Sequence, residues 1–212
     1  MSKEIKVTRY MPQTGEHITE VFPVPAQAGA TVLQTLQYIY EEHDSSLAFR
    51  YGCRYNHCGL CGVSVDGKPT LACKKRVAGV REVAPLPRLP LLRDLAVDRS
   101  AYFRQFQDQS LYPVGTEPQL LGPLCEDALH RNLMSCLECL CCVSSCPEYN
   151  YGEEGFAGPY LFIKLAQLHL DPRDKADRIT QSLKWGIERC KNCKKCICPN
   201  GIKLKQAIQV LL

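Results

Sequence analysis

The sequence predicts an α+β protein, with a strand-rich N-terminal part followed by a helical C-terminal part. Three observations predict it. Residues 4–10 (EIKVTRY) and 18–24 (ITEVFPV) read as strands around a turn at Gln13-Thr14-Gly15. From about residue 100 onward the recurring pattern is proline set before runs of helical period. The cysteines fall on either side of that change: a first group ends at Cys73 and a second begins at Cys136. The expected domains are therefore 1–100 and 101–212.

Within the first part, Thr31 is the expected N-cap of a helix through TVLQTLQYIYEEH. Its apolar residues Val32, Leu33, Leu36 and Ile39 share one face. Residues 49–62 carry three cysteines and three glycines and are expected to form an irregular loop. Gly52, Gly59 and Gly62 are expected to let backbone amides approach sulfur closely, because they lack a Cβ. Asp66-Gly67 is a hairpin signal between Val63–Val65 and Leu71–Cys73, and it returns Cys73 toward the loop. Arg81–Ala84 reads as another strand, residues 85–91 (PLPRLPL) as an extended connector, and Leu92–Gln107 as a helix. Further helices are expected after Pro123, after Pro159, over Asp177–Ile187 and over Lys203–Leu211. The later cysteines should occupy loops between them.

Composition narrows the function classes. Hydrophobic residues make up 45% of the 212-residue chain, which suits a globular fold rather than disorder. No apolar run reaches about 18 residues, so no membrane-spanning helix is expected. The polar start MSKEIKVTRY does not read as a secretory signal, so fourteen cysteines point to metal in a reducing compartment rather than to disulfides. A formal charge of +4 is too mild to imply nucleic acid. Basic residues do gather near the end: Lys184, Arg189, Lys191, Lys194, Lys195, Lys203 and Lys205 stand against Glu188 alone. That run reads as a solvated face, as an offset for the negative charge of thiolate-ligated iron, or as a docking surface for anionic headgroups or an acidic partner.

Twelve of the cysteines form three sets. Cys53, Cys58 and Cys61 follow C-x4-C-x2-C, with Cys73 as a distant fourth, which is the plant-type [2Fe-2S] spacing. Cys136, Cys139, Cys142 and Cys146 follow C-x2-C-x2-C-x3-C closed by Pro147, the bacterial [4Fe-4S] spacing. Cys190, Cys193, Cys196 and Cys198 are closed by Pro199. In two-cluster ferredoxins the fourth cysteine of such a run ligates the other cluster. By that rule Cys136, Cys139 and Cys142 hold one cubane with Cys198, and Cys146 joins Cys190, Cys193 and Cys196 in the other. The first centre is expected to have a low potential, near the roughly −400 mV of plant-type ferredoxins. The alternative of another class, a zinc-binding structural protein, fits the first set poorly, because zinc sites favour two paired C-x2-C units.

With TLAC at 70–73, LLRDLAVD at 91–98, CLECLCCVSSCP at 136–147 and AGPYLF at 157–162, nearly the whole chain resembles the iron-sulfur subunits of succinate dehydrogenases and fumarate reductases. The resemblance implies a β-grasp ferredoxin-like domain followed by an all-helical ferredoxin domain carrying two cubane clusters. It implies a non-catalytic electron-transfer subunit of an oxidoreductase. The partners implied are an FAD-containing flavoprotein subunit, which alone holds the FAD, and membrane anchor subunits with quinone. The place implied is peripheral, on the cytoplasmic side of the inner membrane. The cofactors implied are one [2Fe-2S] cluster, one [4Fe-4S] cluster and a third centre.

The chain departs from the family's pattern in three places. The family's last motif resembles C-x5-C-x3-C-P, with an apolar residue where this chain has Cys193, and the missing thiolate leaves three irons. Cys193 supplies that thiolate, so [4Fe-4S] is expected here instead of [3Fe-4S]. Cys196 and Cys198 flank Ile197 alone, where the family has three residues, so the loop must take a tighter path. The family's tryptophan after the second CP and its histidine after the first cysteine of the last motif resemble positions occupied here by Tyr151 and Lys191, the candidates for the quinone vicinity. Tyr151 can still donate a hydrogen bond to a quinone oxygen. Lys191 changes the chemistry more, which opens an alternative: a wire serving a related flavoprotein with a soluble donor or acceptor such as a thiol.

Cys125 and Cys141 are left over and read as buried small hydrophobes. Family members resemble this chain in having a non-ligating cysteine at the position of Cys141. His57 reads as a surface residue, since a Rieske site needs two histidines. Trp185 reads as helix packing. No G-x-G-x-x-G follows a strand, and no nucleophile motif or carboxylate pair is evident. Dicarboxylate chemistry would therefore belong to a cofactor held elsewhere.

Overall fold

A hairpin with two ten-residue arms starts the chain, because apolar side chains alternate on both of its arms and Gly15 closes the turn by donating its N–H to the Met11 carbonyl (2.8 Å). The computed structural model describes residues 2–115 and 126–212. Its elements are β1 (Ser2–Met11), β2 (Glu16–Pro25), α1 (Val32–Glu42), β3 (Gly62–Val65), β4 (Lys68–Leu71), β5 (Glu82–Ala84), β6 (Leu91–Arg93), β7 (Ala96–Val97), α2 (Ser100–Asp108), α3 (Ala128–Met134), α4 (Cys141–Ser144), α5 (Pro159–His169), α6 (Arg178–Lys184), a 3-10 turn (Ile187–Cys190) and α7 (Leu204–Gln209). They form two units: Met1–Asp98 with Leu137–Ser145, and Arg99–Cys136 with Cys146–Leu212. The linear division expected at residue 100 does not include the excursion of 137–145 into the first unit.

The first unit is a five-stranded sheet in the order β2-β1-β5-β3-β4, parallel between β1 and β5 and antiparallel elsewhere. One face buries Ile5, Val7, Phe22, Val24, Val63 and Val83 against the apolar stripe Val32, Leu33, Leu36 and Ile39 of α1. That stripe is the one expected from sequence. Thr31 caps α1 in a reciprocal box: its hydroxyl accepts the Gln34 N–H (3.2 Å), and Gln34 Oε1 accepts the Thr31 N–H (2.9 Å). Asp66-Gly67 makes the two-residue turn between Val65 and Lys68. The strand that follows ends at Leu71 rather than at Cys73. Lys74 and Lys75 both donate N–H groups to the Leu71 carbonyl, so Cys73 sits in a turn.

The helix expected over Leu92–Gln107 is not continuous. Its first part is the β6–β7 hairpin, and only α2 is helical. Asp94 explains the break. It takes a left-handed conformation (φ 49°), pairs with Tyr10 of β1, and is fully buried. Its carboxylate accepts Arg9 Nε (2.9 Å) and the Ala48 N–H (2.7 Å). Arg9 also pairs with Glu20 and Asp44, so one buried guanidinium ties β1, β2, the end of α1 and the hairpin together. Tertiary pairing here overrides helical propensity.

The segment 137–145, which ends in the single turn α4, lies against the first cysteine loop. A Cβ on Gly59 (φ +70°) would collide with the Leu137 carbonyl oxygen. The glycine is thus needed for chain packing against 137. Sulfur contact, the role expected for it, is not the constraint.

The second unit is helical. Pro159 starts α5 at its first turn, as expected, and almost all of α5 is buried where it packs against α3, α6 and α7. The helix expected after Pro123 is described only from Ala128, capped by Asp127. Pro123 and Cys125 lie outside the described residues. The run expected to be one helix from Asp177 to Ile187 divides at Gly186 (φ 74°) into α6 and the 3-10 turn that delivers Cys190.

Arg178 is the anchor of this unit. It and Asp174 are each about 1% exposed at the side chain and meet at 2.6 Å. Arg178 also donates to the carbonyls of Ser110 (3.0 Å) and Tyr112 (2.9 Å) and to Gln181. Burial opposes ionisation of Asp174. Arg178 and the N–H groups of Val114 and Ala176 outweigh it and hold the carboxyl below the usual carboxylate range. The carboxylate's contribution is therefore fully present above that range and is lost as pH falls through the depressed value.

Two expectations follow. Arg178→Met leaves Asp174 buried and unpaired and should lower stability by about 3–5 kcal/mol, read as a drop in thermal midpoint by circular dichroism; a midpoint equal to wild type would count against the anchor. Gly59→Ala should cost more than the ~1–2 kcal/mol of left-handed strain alone. Gly79→Ala, at another left-handed position where an added methyl group would meet nothing within 4 Å, should cost only that strain, and equal losses for the two would contradict the close approach to Leu137.

Candidate metal centres

The first cysteine set is assembled within the first unit. Cys53 and Cys58 are half-buried in the irregular loop, Cys61 is buried just before β3, and Cys73 is buried in the turn after β4. The Ala72 N–H bonds to the Cys61 carbonyl (2.9 Å), which holds Cys73 beside Cys61. Backbone N–H groups aim at the sulfurs: Asn56 to Cys73 Sγ (3.2 Å), His57 and Cys58 to Cys53 Sγ (3.2 and 3.3 Å), Cys53 to Cys58 Sγ (3.5 Å) and Cys73 to Cys61 Sγ (3.5 Å). Arg54 and Asn56 adopt left-handed backbone (φ 67° and 59°) in this loop. Such conformations cost on the order of 1–3 kcal/mol each.

Among the described residues, no group of three or more His, Cys, Asp or Glu is arranged to hold a single metal ion. At Cys53 burial opposes ionisation, but the N–H groups of Tyr55, His57 and Cys58 outweigh it and bring the thiol down to about 7. At Cys61 burial, and then the neighbouring Cys73 and Cys58, push the thiol up to about 12. The loop thus supplies donors that stabilise sulfur anions, while its interior resists concentrating several of them. A polynuclear cation relieves that conflict, because coordination deprotonates thiols outright. These residues fit an iron-sulfur group.

Cys146 is assembled with Cys190, Cys193 and Cys196 of the third set within the second unit. Burial and the mutual repulsion of Cys146, Cys190, Cys193 and Cys196 push Cys190 up to about 12 and Cys196 up to about 11. Cys146 is raised by burial, against N–H donation from Glu148 and Tyr149, and it feels Cys193. Cys190, Cys193 and Cys196 line one pocket of about 420 Å3 with Lys191 and Lys205. Cys146 with Cys190, Cys193 and Cys196 is the grouping expected from the two-cluster rule, and these sulfurs fit an iron-sulfur group by the same chemistry.

The other expected grouping, Cys136, Cys139 and Cys142 with Cys198, is divided. Cys139 and Cys142 belong to the first unit, and Cys136 and Cys198 to the second. Cys142 lies in α4 rather than in a loop. Glu138 and Leu140 flank Cys139 in left-handed conformations (φ 53° and 62°). Within the second unit two asparagines pin the chain after Cys198 to the chain before Cys136. Asn200 donates to the Ser135 carbonyl (2.8 Å), and Asn132 Oδ1 accepts the Lys203 N–H (2.8 Å).

The remaining candidates are placed separately. Cys141 is fully buried and donates its S–H to the Thr70 carbonyl (3.6 Å), in keeping with a packing role. His57 is exposed, stacked on Tyr55. Tyr151 is exposed at the rim of a pocket of about 270 Å3 that also holds Tyr102, Tyr149 and Trp185. Lys191 lines the sulfur pocket instead. The two quinone-vicinity candidates thus line different pockets. Trp185 ends α6 and lines the first of these rather than packing deep in a helix interface.

Sequence reading missed Asn132, Asn200, Glu148 and the particular place of Lys205. Asn200 directly after Cys198-Pro199 was a readable signal. The lysine run gave no means of telling which cation lies next to sulfur.

Comparison with known proteins accords with this arrangement. Residues 4–104 match the model of a family described as a 2Fe-2S iron-sulfur cluster binding domain. The chain is 33% identical to a subunit of the fumarate reductase (CoM/CoB) of Methanothermobacter marburgensis over 94% of its length, and it spans only 41% of that relative. It is 31% identical to the mitochondrial succinate dehydrogenase [ubiquinone] iron-sulfur subunit 2 of Oryza sativa subsp. japonica, covering 99% of this chain and 73% of that one. The fold matches a chain of the Mycobacterium smegmatis Sdh1 complex in the apo form with a TM-score of 0.83 and 26% identity, over 99% of this chain and 93% of the other. With its sulfur-bearing loops and a plant relative matched across nearly its whole length, the chain belongs to the family of succinate dehydrogenase and fumarate reductase iron-sulfur subunits.

Proposed function

We propose that the chain relays single electrons between an FAD-containing partner subunit and a quinone at a membrane, as the iron-sulfur subunit of a succinate dehydrogenase or fumarate reductase complex. The observation that carries the reading is the gathering of cysteines remote in sequence within single units: Cys53, Cys58, Cys61 and Cys73 in one, and Cys146, Cys190, Cys193 and Cys196 in the other. The strand-rich domain is read as a β-grasp, on its sheet order and the parallel β1–β5 pairing.

The first four cysteines would hold a [2Fe-2S] group. Sequence spacing assigns Cys136, Cys139, Cys142 and Cys198 to a [4Fe-4S] group, and the asparagine ties between the neighbours of Cys136 and Cys198 support that pairing. The third set, with Cys193 as its additional thiol, would hold a second [4Fe-4S] group. When bound, these groups supply one-electron redox chemistry that no side chain here supplies. The protein's own part is to hold sulfur in place, to donate N–H groups to it and to exclude water at Cys61, Cys73, Cys146 and Cys190, which together tune potential.

No helix among the described residues is long and apolar enough to cross a membrane. Peripheral attachment on the cytoplasmic side, through anchor subunits, is part of the proposal. Tyr151 remains the candidate hydrogen-bond donor to quinone. The second reading, a wire for a related flavoprotein with a soluble donor or acceptor, is favoured by the Methanothermobacter relative, whose name couples fumarate reductase with CoM/CoB, and by Lys191 in the sulfur pocket. Co-purification with subunit identification, followed by succinate- and fumarate-linked assays, separates the two readings.

Anaerobically purified protein should be brown, with iron and acid-labile sulfide; a colourless, folded, zinc-containing product would refute the assignment. Cys73→Ala should abolish the [2Fe-2S] signal on EPR of the reduced protein while leaving the others. Cys193→Val should convert the third centre to [3Fe-4S], with one iron fewer per chain and a new EPR signal in the oxidised state. An unchanged iron count would show that Cys193 is not a ligand.

A further inference from the structure

Two thiol-lined pockets of the second unit share two residues, Cys196 and Lys205. The larger, about 420 Å3, holds Cys190, Cys193 and Cys196; the smaller, about 320 Å3, holds Cys196 and Cys198. Lys205 enters from α7, outside the cysteine loop. Leu204, Ala207 and Ile208 are buried on that helix, and α7 packs against α5 and α3, so the backbone position of Lys205 is fixed independently of the sulfurs. Lys191 and Lys194 also line the larger pocket but belong to the loop itself and are solvent-exposed.

Among the described residues, Lys205 is the one cation common to both sulfur-lined pockets.

We propose that Lys205 is a potential-setting residue of the third centre: its positive charge favours the reduced state. One-electron reduction adds one negative charge inside the ring of sulfurs. With an iron-sulfur group bound, the electron would come from the preceding centre of the chain and leave to the terminal acceptor, with no bond made or broken. A cation fixed at the edge of the pocket lowers the cost of that added charge, and an anion raises it. Lys205 is exposed, so solvent and salt reduce the effect to about fivefold in the reduction equilibrium, the scale of a partly exposed charge pair. The inference rests on reading the third cysteine set as an iron-sulfur centre.

EPR-monitored redox titration of the assembled complex tests it. Lys205→Gln should make the third centre harder to reduce by about that factor, and Lys205→Arg should restore wild-type behaviour. The [2Fe-2S] centre should not move. An unchanged potential in Lys205→Gln would overturn the assignment. So would loss of the centre in Lys205→Gln, which would mark Lys205 as a residue that holds the loop. Absence of any third centre from the wild-type complex, by iron count and EPR, would instead refute the reading beneath it.

Discussion

Concentrating sulfur anions in places that partly exclude water is the constraint on which the rest of this structure depends. Burial and mutual repulsion resist the ionised thiols at Cys61, Cys190 and Cys196. The chain answers with backbone N–H groups aimed at sulfur, with left-handed conformations at Arg54, Asn56, Glu138 and Leu140, and with cations nearby. None of these stabilises a fold by itself. Each lowers the cost of a polar cluster that ordinary core packing would reject.

Loops held in such shapes need rigid supports, and each unit has a buried arginine that provides one. Arg9 joins β1, β2, the end of α1 and the β6–β7 hairpin through three carboxylates. Arg178 joins α6 to the carbonyls that follow α2 and to Asp174. A planar guanidinium suits this work because its donors diverge at fixed angles and reach several partners at once. Buried ion pairs return little net stability when compared with apolar packing, but breaking one is costly. Their contribution here is to specify which segments meet.

The local elements were largely legible in the sequence. The β1–β2 hairpin, the capped α1, the Asp66-Gly67 turn and the proline start of α5 depend on signals within a few residues, and periodicity and turn chemistry report those. The cysteine sets were legible because metal ligation imposes spacing. What was not legible depends on distant partners. Leu92–Val97 reads as helix until Arg9 and Tyr10 claim Asp94. Gly59 reads as a sulfur contact until Leu137 occupies the space. Lys205 is one lysine among several near the end of the chain until α7 turns it toward Cys196.

The excursion of residues 137–145 has a bearing on how this protein can be taken apart. The strand-rich unit is not a contiguous stretch of the gene, since the piece that meets Gly59 is encoded well beyond Asp98, where the rest of the unit ends. A stop codon after Asp98 would strip the Gly59 loop of its neighbour and expose apolar surface at Leu137's former seat. Any attempt to transplant this half into another polypeptide, in the laboratory or by recombination during evolution, requires two junctions instead of one.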